Sequence, residues 1–173
     1  MGTFEIPTLE SERLVLRAWQ LADLDRHAAF AGDQVLARYR GGAVNRSKAK
    51  SAMATQNGDW SLHGYGGFAV ALRDEPDHAI GMTGLYHPPE FDEPELFYSL
   101  YRDHHGHGYA VEMGRAVQVW AAGTRGLPPL MSMIHPDNAP SRSVSERLGG
   151  AIEAEVTWRG EPRLRYRHVH PTR

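Results

Sequence analysis

The most informative stretch of the sequence is His104-His105-Gly106-His107-Gly108-Tyr109-Ala110, between a predicted strand and the most regular predicted helix. Gly106 and Gly108, one residue apart, allow the main chain to approach a ligand closely. The helix that follows opens with N–H groups that have no partner inside the helix, and such a helix start favours anions. The stretch therefore predicts an anion cradle that a pyrophosphate would fit. A plain strand-to-helix connection is the alternative.

Two other phosphate-binding motifs do not fit this stretch. A dinucleotide-binding unit needs its glycine turn inside a parallel strand-helix-strand unit, with a third glycine where Val111 stands here. The strands predicted before the stretch are hairpin-linked instead. A Walker loop needs Gly-Lys followed by Ser or Thr, which the sequence lacks. Both motifs are therefore set aside.

Hydrophobic periodicity places the other elements around this stretch. Strands are predicted at 14–19, 67–73, 80–86, 95–101 and 130–134, and two more in 151–170 around a turn at 159–162. Helices are predicted from Asp23 to Gly32, from Ser47 to about Leu62, from Tyr109 through Trp120, and from Pro140 to Leu148. The order is strand, two helices, three antiparallel strands, helix, strand, helix and two strands. It predicts one α+β domain with a mixed sheet over residues 1–173.

Composition restricts the class of protein. The 173 residues carry 19 Lys and Arg against 21 Asp and Glu, a formal net charge of −2, which argues against a general nucleic-acid binder. The absence of cysteine excludes a disulfide scaffold and a thiol nucleophile, and it favours the cytoplasm. The longest stretch without Asp, Glu, Lys or Arg runs from Trp60 to Leu72 and is too short to span a membrane. We therefore expect a cytoplasmic protein with no nucleic-acid and no membrane partner.

Three arginines alternate with other residues in the last predicted strand. Arg163, Arg165 and Arg167 therefore share one face of that strand. We expect an edge strand whose charges discourage unwanted pairing, rather than a nucleic-acid-binding surface.

Four motifs in a fixed order carry a more specific signal: residues 12–17, 80–85, 95–112 and 138–149. Glu95 to Leu100 and Gly106 to Glu112 resemble the acetyl-CoA motif of the GNAT N-acetyltransferase superfamily. The resemblance is greatest to the branch named for the Rim-type acetyltransferases of ribosomal proteins, with the pattern E-x-G-Y-x-L, spacer, G-x-G-Y-A-x-E. It spans about residues 8–158. It implies the GNAT fold, a mixed, mostly antiparallel seven-stranded sheet flanked by about four helices.

The resemblance also implies acetyl-CoA as co-substrate and assigns roles by position. Main-chain groups of Tyr98, Ser99 and Leu100 would pair with the pantetheine arm as with an added strand. Asn138 would anchor the pantetheine or the splayed strand pair, and the Ser141 hydroxyl would lie near the thioester sulfur. The main-chain N–H groups implied to hold the pyrophosphate belong to His105, Gly106, His107, Gly108, Tyr109 and Ala110.

Few residues are candidates for catalysis. A main-chain N–H near Tyr98 is the implied oxyanion donor. Ser141 is the candidate for protonating the departing sulfur, with an ordinary residue of a first helical turn as the alternative. Many relatives place a tyrosine acid where this chain has Ser145, and some place a glutamate base where it has Met133. Glu95 is then the nearest carboxylate by strand register, with a solvent-facing strand residue as the alternative.

Three functions follow from these residues. The first is acetyl transfer to a primary amine, either a protein N-terminal α-amine or a small-molecule amine, by a monomer or homodimer. The missing tyrosine and glutamate leave open a catalytically weak acyl-CoA-binding regulatory module. His104, His105 and His107 leave open a metal-dependent hydrolase. Three imidazoles within four residues of a turn do not converge easily on one ion, and we therefore expect no metal.

Overall fold

The computed structural model describes residues 5–171. In chain order the elements are β1 (Leu9–Glu10), β2 (Leu14–Arg17), α1 (Leu24–Gly32), α2 (Gln34–Ala37), α3 (Arg46–His63), β3 (Gly67–Leu72), β4 (Glu75–Tyr86), β5 (Glu95–Leu100), α4 (Tyr109–Gly123), β6 (Met131–Ile134), α5 (Ala139–Arg147), β7 (Ala151–Trp158) and β8 (Glu161–Arg167). All the predicted strands and helices form.

The eight strands make one sheet in the order β1-β2-β3-β4-β5-β6-β8-β7. Its neighbouring strands are antiparallel except β5 and β6, which run parallel. Within the described residues, β5 and β6 share one residue pair, Glu95 with Met131. The two strands therefore diverge beyond that pair and open the middle of the sheet.

The predicted α+β class and mixed sheet are confirmed, with small differences in number. Residues 5–171 contain eight strands rather than seven and five helices rather than about four. The additional strand β1 has 2 residues and the additional helix α2 has 4, and elements this short show no readable period. β4 begins at Glu75 rather than Ile80, because Glu75 pairs with Leu72 across an irregular stretch of the hairpin.

The expectation that the arginine-rich strand lies at an edge is wrong. β8 runs between β6 and β7, and β7 takes the edge of the sheet. The charges are accommodated because Arg165 and Arg167 both form ion pairs with Glu93 and Glu153 on the surface of the sheet. The alternating arginines of β8 therefore indicate a cluster of charges on one face of the sheet, not an edge strand.

Helices cover both faces of the sheet around its centre. On one face Phe30 of α1 and Met53 of α3 pack against Ala69 and Met82. On the other face Met113 and Val117 of α4 join a larger cluster: Leu14, Leu16, Phe68, Val70, Leu96, Leu100 and Leu148. Successive β5 residues point to opposite faces, so Leu96, Tyr98 and Leu100 face α4, and Phe97 faces α1 and α3. The opening beside β5 is therefore reached from both faces.

Candidate active site

The opening between β5 and β6 forms a cleft with a volume of about 910 Å³. Its walls come from β5, β6, the starts of α4 and α5, the segment from α1 to α3 and the β7–β8 hairpin. Nine of the sequence-predicted site residues line it: Glu95, Tyr98, Ser99, Leu100, His105, Gly106, Ala110, Asn138 and Ser141. The other three lie behind this wall: His107 and Gly108 belong to the turn, and Tyr109 is the first residue of α4. The structure thus brings most of the candidates around one cavity.

The β5 wall offers main-chain groups at alternate residues. The Tyr101 N–H donates to Ile80 O at 2.8 Å, and Ser99 pairs with Met82. These alternate residues therefore direct their main-chain N–H and C=O groups towards β4. The N–H and C=O groups of Tyr98 and Leu100 point the other way, towards the cleft. Of the three residues predicted to pair with an extended ligand, Ser99 thus contributes only its side chain.

One of the main-chain groups that point towards the cleft, the Leu100 C=O, already has a partner. The His105 ring nitrogen Nε2 lies 2.9 Å from Leu100 O. The N–H and C=O of Tyr98 have no hydrogen-bond partner from the neighbouring β6 strand, because the two strands have already separated there. A ligand with amide groups, laid along β5, would satisfy the Tyr98 main chain.

The glycine turn has the conformation that an anion cradle requires. Gly106 has φ 81° and Gly108 has φ 80°, the left-handed region that favours glycine. A Cβ added at Gly106 would meet no atom within 4 Å, so the space beside it is open. The His105 N–H is already used, donating to Arg102 O at 3.2 Å. The free N–H groups therefore run from Gly106 to the first turn of α4, which begins at Tyr109 without a side-chain cap.

The turn is held in place by an ion pair that the sequence motifs did not indicate. Arg13, the residue before β2, donates from Nε to Glu112 Oε2 at 2.8 Å, and its main-chain N–H donates to Glu112 Oε1 at 2.7 Å. The same guanidinium donates to His107 O at 3.0 Å and lies 4.6 Å from the Tyr109 ring centroid. Glu112 lies in the first turn of α4, so the clamp joins cradle, helix and sheet.

The opposite wall is the start of α5. The Asn138 side-chain oxygen Oδ1 accepts from the Ser141 N–H at 3.3 Å and caps the helix. The Tyr98 hydroxyl crosses from β5 and donates to Ser141 O at 2.9 Å. Burial raises the pKa of this phenol well above its ordinary value, so it stays protonated. Two hydroxyl groups, those of Tyr98 and Ser141, therefore belong to the same corner of the cleft.

Ser145, at the position where many relatives carry a tyrosine, is fully buried beneath this corner. Within the described residues its hydroxyl has no hydrogen-bond partner. It lies under the wall rather than on it. The phenol that reaches this helix comes from Tyr98, a side-chain role that a linear motif does not reveal.

Glu95 occupies the closed end of the cleft. Its Oε1 accepts from the Met133 N–H at 2.9 Å, so the carboxyl group bridges β5 and β6 where they begin to separate. Burial raises its pKa to about 7, against the opposing effects of that hydrogen bond and of the nearby Arg163 charge. The Glu95 side chain therefore faces the cleft, where the residue is partly exposed. A carboxyl group that titrates near neutrality is suited to accept a proton.

Behind Glu95, a buried hydrogen-bond chain fixes the closed end of the strand pair. Ser132 Oγ donates to Leu96 O at 2.7 Å and lies 2.9 Å from His168 Nε2. Because the Ser132 proton is given to Leu96, the His168 ring donates its Nε2–H to Ser132. Burial lowers the pKa of His168 to about 4, which keeps the ring neutral. The chain links β5, β6 and the segment after β8, and no sequence motif indicated it.

No metal centre accompanies these groups in the described residues. Residues 5–171 contain no cluster of three or more His, Asp or Glu side chains arranged to hold an ion. His105 turns back to Leu100, and the His107 ring stacks on Tyr109 with centroids 5.5 Å apart. The histidines therefore point in different directions.

Known proteins share this fold and sequence pattern. Residues 13–151 match the family model described as the acetyltransferase (GNAT) domain. The acetyltransferase from Agrobacterium tumefaciens str. C58 is 34% identical over 97% of each chain, with a TM-score of 0.86. An uncharacterized N-acetyltransferase, p20, of Bacillus licheniformis is 28% identical over 78% of this chain and 76% of its own. The chain therefore belongs to the GNAT acetyltransferase family, whose members use acetyl-CoA.

A ribosomal-protein enzyme shares the fold at lower identity. The ribosomal-protein-S5-alanine acetyltransferase from Vibrio fischeri is 20% identical over 95% of this chain and 97% of its own, with a TM-score of 0.72. At this identity the likeness concerns the fold alone.

No helix among residues 5–171 is long and apolar enough to cross a membrane.

Proposed function

We propose that the protein is an N-acetyltransferase that moves the acetyl group of acetyl-CoA to a primary amine by direct attack in a ternary complex. The observation that carries the proposal is the meeting of three features in one cleft. They are the free N–H groups from Gly106 to the start of α4, the unpaired main chain of Tyr98, and the buried carboxyl of Glu95. Residues 1–173 would form one domain around this cleft.

The cleft suits each part of acetyl-CoA. The cradle that begins at Gly106 would bind the pyrophosphate through main-chain N–H groups and the positive end of α4. The Tyr98 main chain would pair with the pantetheine amides. Acetyl-CoA supplies an acetyl group activated as a thioester. A main-chain N–H in the strand around Tyr98, aimed at the acetyl oxygen, would stabilise the negative charge that develops there during transfer.

Glu95 would act as the general base. Deprotonating a lysine-type amine of pKa ~10.4 at neutral pH costs about 4.6 kcal/mol, whereas an α-amine near ~7.8 costs about 1 kcal/mol. A carboxylate with a pKa of about 7 can accept a proton from the second kind of amine, directly or through a water. The site therefore favours a protein N-terminal α-amine or another amine whose pKa is low or is lowered in the site.

The departing thiolate needs a proton from the α5 wall. Ser141 is our candidate donor, and the Tyr98 hydroxyl, hydrogen-bonded to the same residue, is available at the same corner. Comparing Ser141→Ala with Tyr98→Phe separates the two groups, because each variant removes one hydroxyl and leaves the main-chain contacts unchanged.

A two-stage experiment tests the proposed function. Thermal unfolding with and without acetyl-CoA measures binding, since a ligand of the folded state raises the melting temperature. Release of free CoA in the presence of amines and peptides is then followed with a thiol reagent. The chain has no cysteine, so it adds no background to this assay. Binding together with amine-dependent release supports the enzyme. Binding without release from any amine identifies a regulatory acyl-CoA-binding module instead.

A further inference from the structure

One face of β8 carries a row of three arginines that differ in their surroundings. Arg167 donates from Nη2 to Glu93 Oε1 at 2.7 Å and to Glu153 Oε2 at 3.0 Å. Arg165 forms ion pairs with the same two carboxylates. Arg163, next in the row, has no carboxylate within ion-pair distance among residues 5–171. The first two positive charges thus have carboxylate partners in direct contact, whereas Arg163 has none in contact and acts on Glu95 only through its nearby charge.

Arg163 is also the most enclosed of the three. The residue is 8% exposed, and its one hydrogen bond runs from Nη1 to Pro162 O at 2.8 Å. The guanidinium carbon lies 6.0 Å from the centroid of the Trp158 ring. A guanidinium has five N–H donors, and an unpaired buried charge is costly. Such a group is expected where a ligand supplies the missing negative charge.

The position of Arg163 connects it to Glu95. Both side chains line the same cleft. Met133, whose N–H binds the Glu95 carboxyl, pairs with Arg165 across β6 and β8. Arg163 lies two residues further along β8 on the same face, towards the open end. Neighbouring strands lie about 4.8 Å apart, so a compact molecule can reach both groups.

The other charged side chains that the β7–β8 hairpin adds to this wall have partners. Arg159 forms an ion pair with Glu90 at 3.3 Å, and Glu161 lies 3.8 Å from the His135 ring. Phe97, Tyr39 and Trp158 add aromatic surface to the cleft. Arg38 and Arg40 also line the cleft without an ion pair, and each lies over an aromatic ring. Arg163 is therefore the one charge of the β7–β8 hairpin in this wall without an ion pair among residues 5–171, and it shares the cleft with Glu95.

We propose that Arg163 binds a carboxylate of the acceptor, and that the acceptors are small amines with a carboxylate close to the nitrogen, as in free amino acids. The inference rests on the proposed function and names its substrate class. A guanidinium matches a carboxylate through two parallel hydrogen bonds, which fixes the orientation of the acceptor. Its charge also opposes the ammonium form of a nearby amine, which brings the amine closer to the titration range of Glu95.

Matched pairs of acceptors test this inference. CoA release is measured with L-phenylalanine, L-methionine and L-tryptophan, each against its carboxamide and against a dipeptide with the same first residue. Replacing the carboxylate with a carboxamide lowers the pKa of the amine. This lower pKa by itself would make the carboxamide the better acceptor. We expect the wild type to show a KM at least tenfold lower for the acids. Equal or better use of the amides or peptides would overturn the inference.

Variants assign any such preference to Arg163. We expect Arg163→Met to raise KM for the acids at least tenfold and to change KM for the amides less than twofold, with Arg163→Lys in between. Arg159→Met, which removes a paired guanidinium from the same wall, should keep the preference for acids. An Arg163→Met effect of equal size on acids and amides would contradict the assignment. If that variant melts at a lower temperature, Arg163→Lys decides by the same criterion.

The two proposals fail in different ways. Release of CoA with amines of every kind, without preference for a carboxylate, removes the Arg163 subsite and leaves the acetyltransferase. Binding of acetyl-CoA without release from any amine removes the acetyltransferase itself, and the subsite with it.

Discussion

Replacing Glu95 with glutamine should make the protein more stable and much less active. The amide of Glu95→Gln would keep an oxygen that can accept from the Met133 N–H, now 2.9 Å from Glu95 Oε1, and it fills nearly the same volume. The substitution removes only the capacity to ionise. Burying an ionisable side chain for catalysis lowers the stability of the folded protein. Replacing that side chain should therefore raise stability and lower activity together.

The stability effect follows from the pKa. Burial raises the pKa of Glu95 from 4.5 to about 7. Between these values the folded protein retains a proton that the unfolded chain has lost, so wild-type stability falls as the pH rises through this window. At one pKa unit per ~1.36 kcal/mol, the folded state loses about 3 kcal/mol by pH 8. The free energy of unfolding of Glu95→Gln should therefore exceed that of the wild type by about 3 kcal/mol at pH 8 and match it at pH 4.

The activity effect has the opposite sign. A positioned general base contributes about 10²- to 10⁴-fold, so kcat/KM should fall by that factor. The limb of the pH profile with an apparent pKa near 7 should disappear with it. Urea unfolding at several pH values measures the first effect, and CoA release measures the second. Glu161→Gln is the control, because it removes a carboxylate from the exposed rim of the same cleft. Unchanged kcat/KM in Glu95→Gln, or a stability difference that does not vary with pH, would show that Glu95 is not the buried base.

Three further outcomes are expected. Gly106→Val should raise the Kd for acetyl-CoA at least tenfold because its side chain fills the cradle, whereas Gly126→Val, also at positive φ and in open space, should not; titration calorimetry distinguishes them. Ser141→Ala should lower kcat about 10-fold or more if its hydroxyl delivers the proton, and an effect confined to Tyr98→Phe would transfer that role to the phenol. The folded pKa of His168 is about 4, below its usual 6.5, so wild-type stability should fall as pH drops through that range; His168→Gln should lack this part of the loss in urea unfolding.

Local chemistry made the cradle predictable from the sequence. The requirement for positive φ at Gly106 and Gly108 and the start of α4 depend on residues adjacent in the chain. The same holds for Pro140 in the first turn of α5. The order of the elements was sufficient to predict the mixed sheet, and the resemblance made Glu95 and Ser141 candidates for one site.

The remaining features depend on contacts between distant residues. Arg13 and Glu112 are 99 positions apart, and Tyr98 and Ser141 are 43 apart. The Glu95 carboxyl binds the N–H of Met133, 38 positions away, and its raised pKa comes from burial in the assembled sheet. No local pattern encodes such pairs.

Misplacing β8 at an edge has the same origin. Alternating arginines look alike whether they face water or carboxylates from another part of the chain. The difference between the paired Arg165 and the unpaired Arg163 lies in Glu93 and Glu153, which come from other segments. It could be seen only once the strands were assembled.

A crystal structure of the protein with coenzyme A would decide whether the opening between β5 and β6 is the acetyl-CoA site. We expect a diphosphate on the N–H groups between Gly106 and Ala110, and a pantetheine arm that accepts from the Tyr98 N–H inside the opening. A diphosphate bound elsewhere, or an opening closed by side chains in the complex, would show that the cleft has another role.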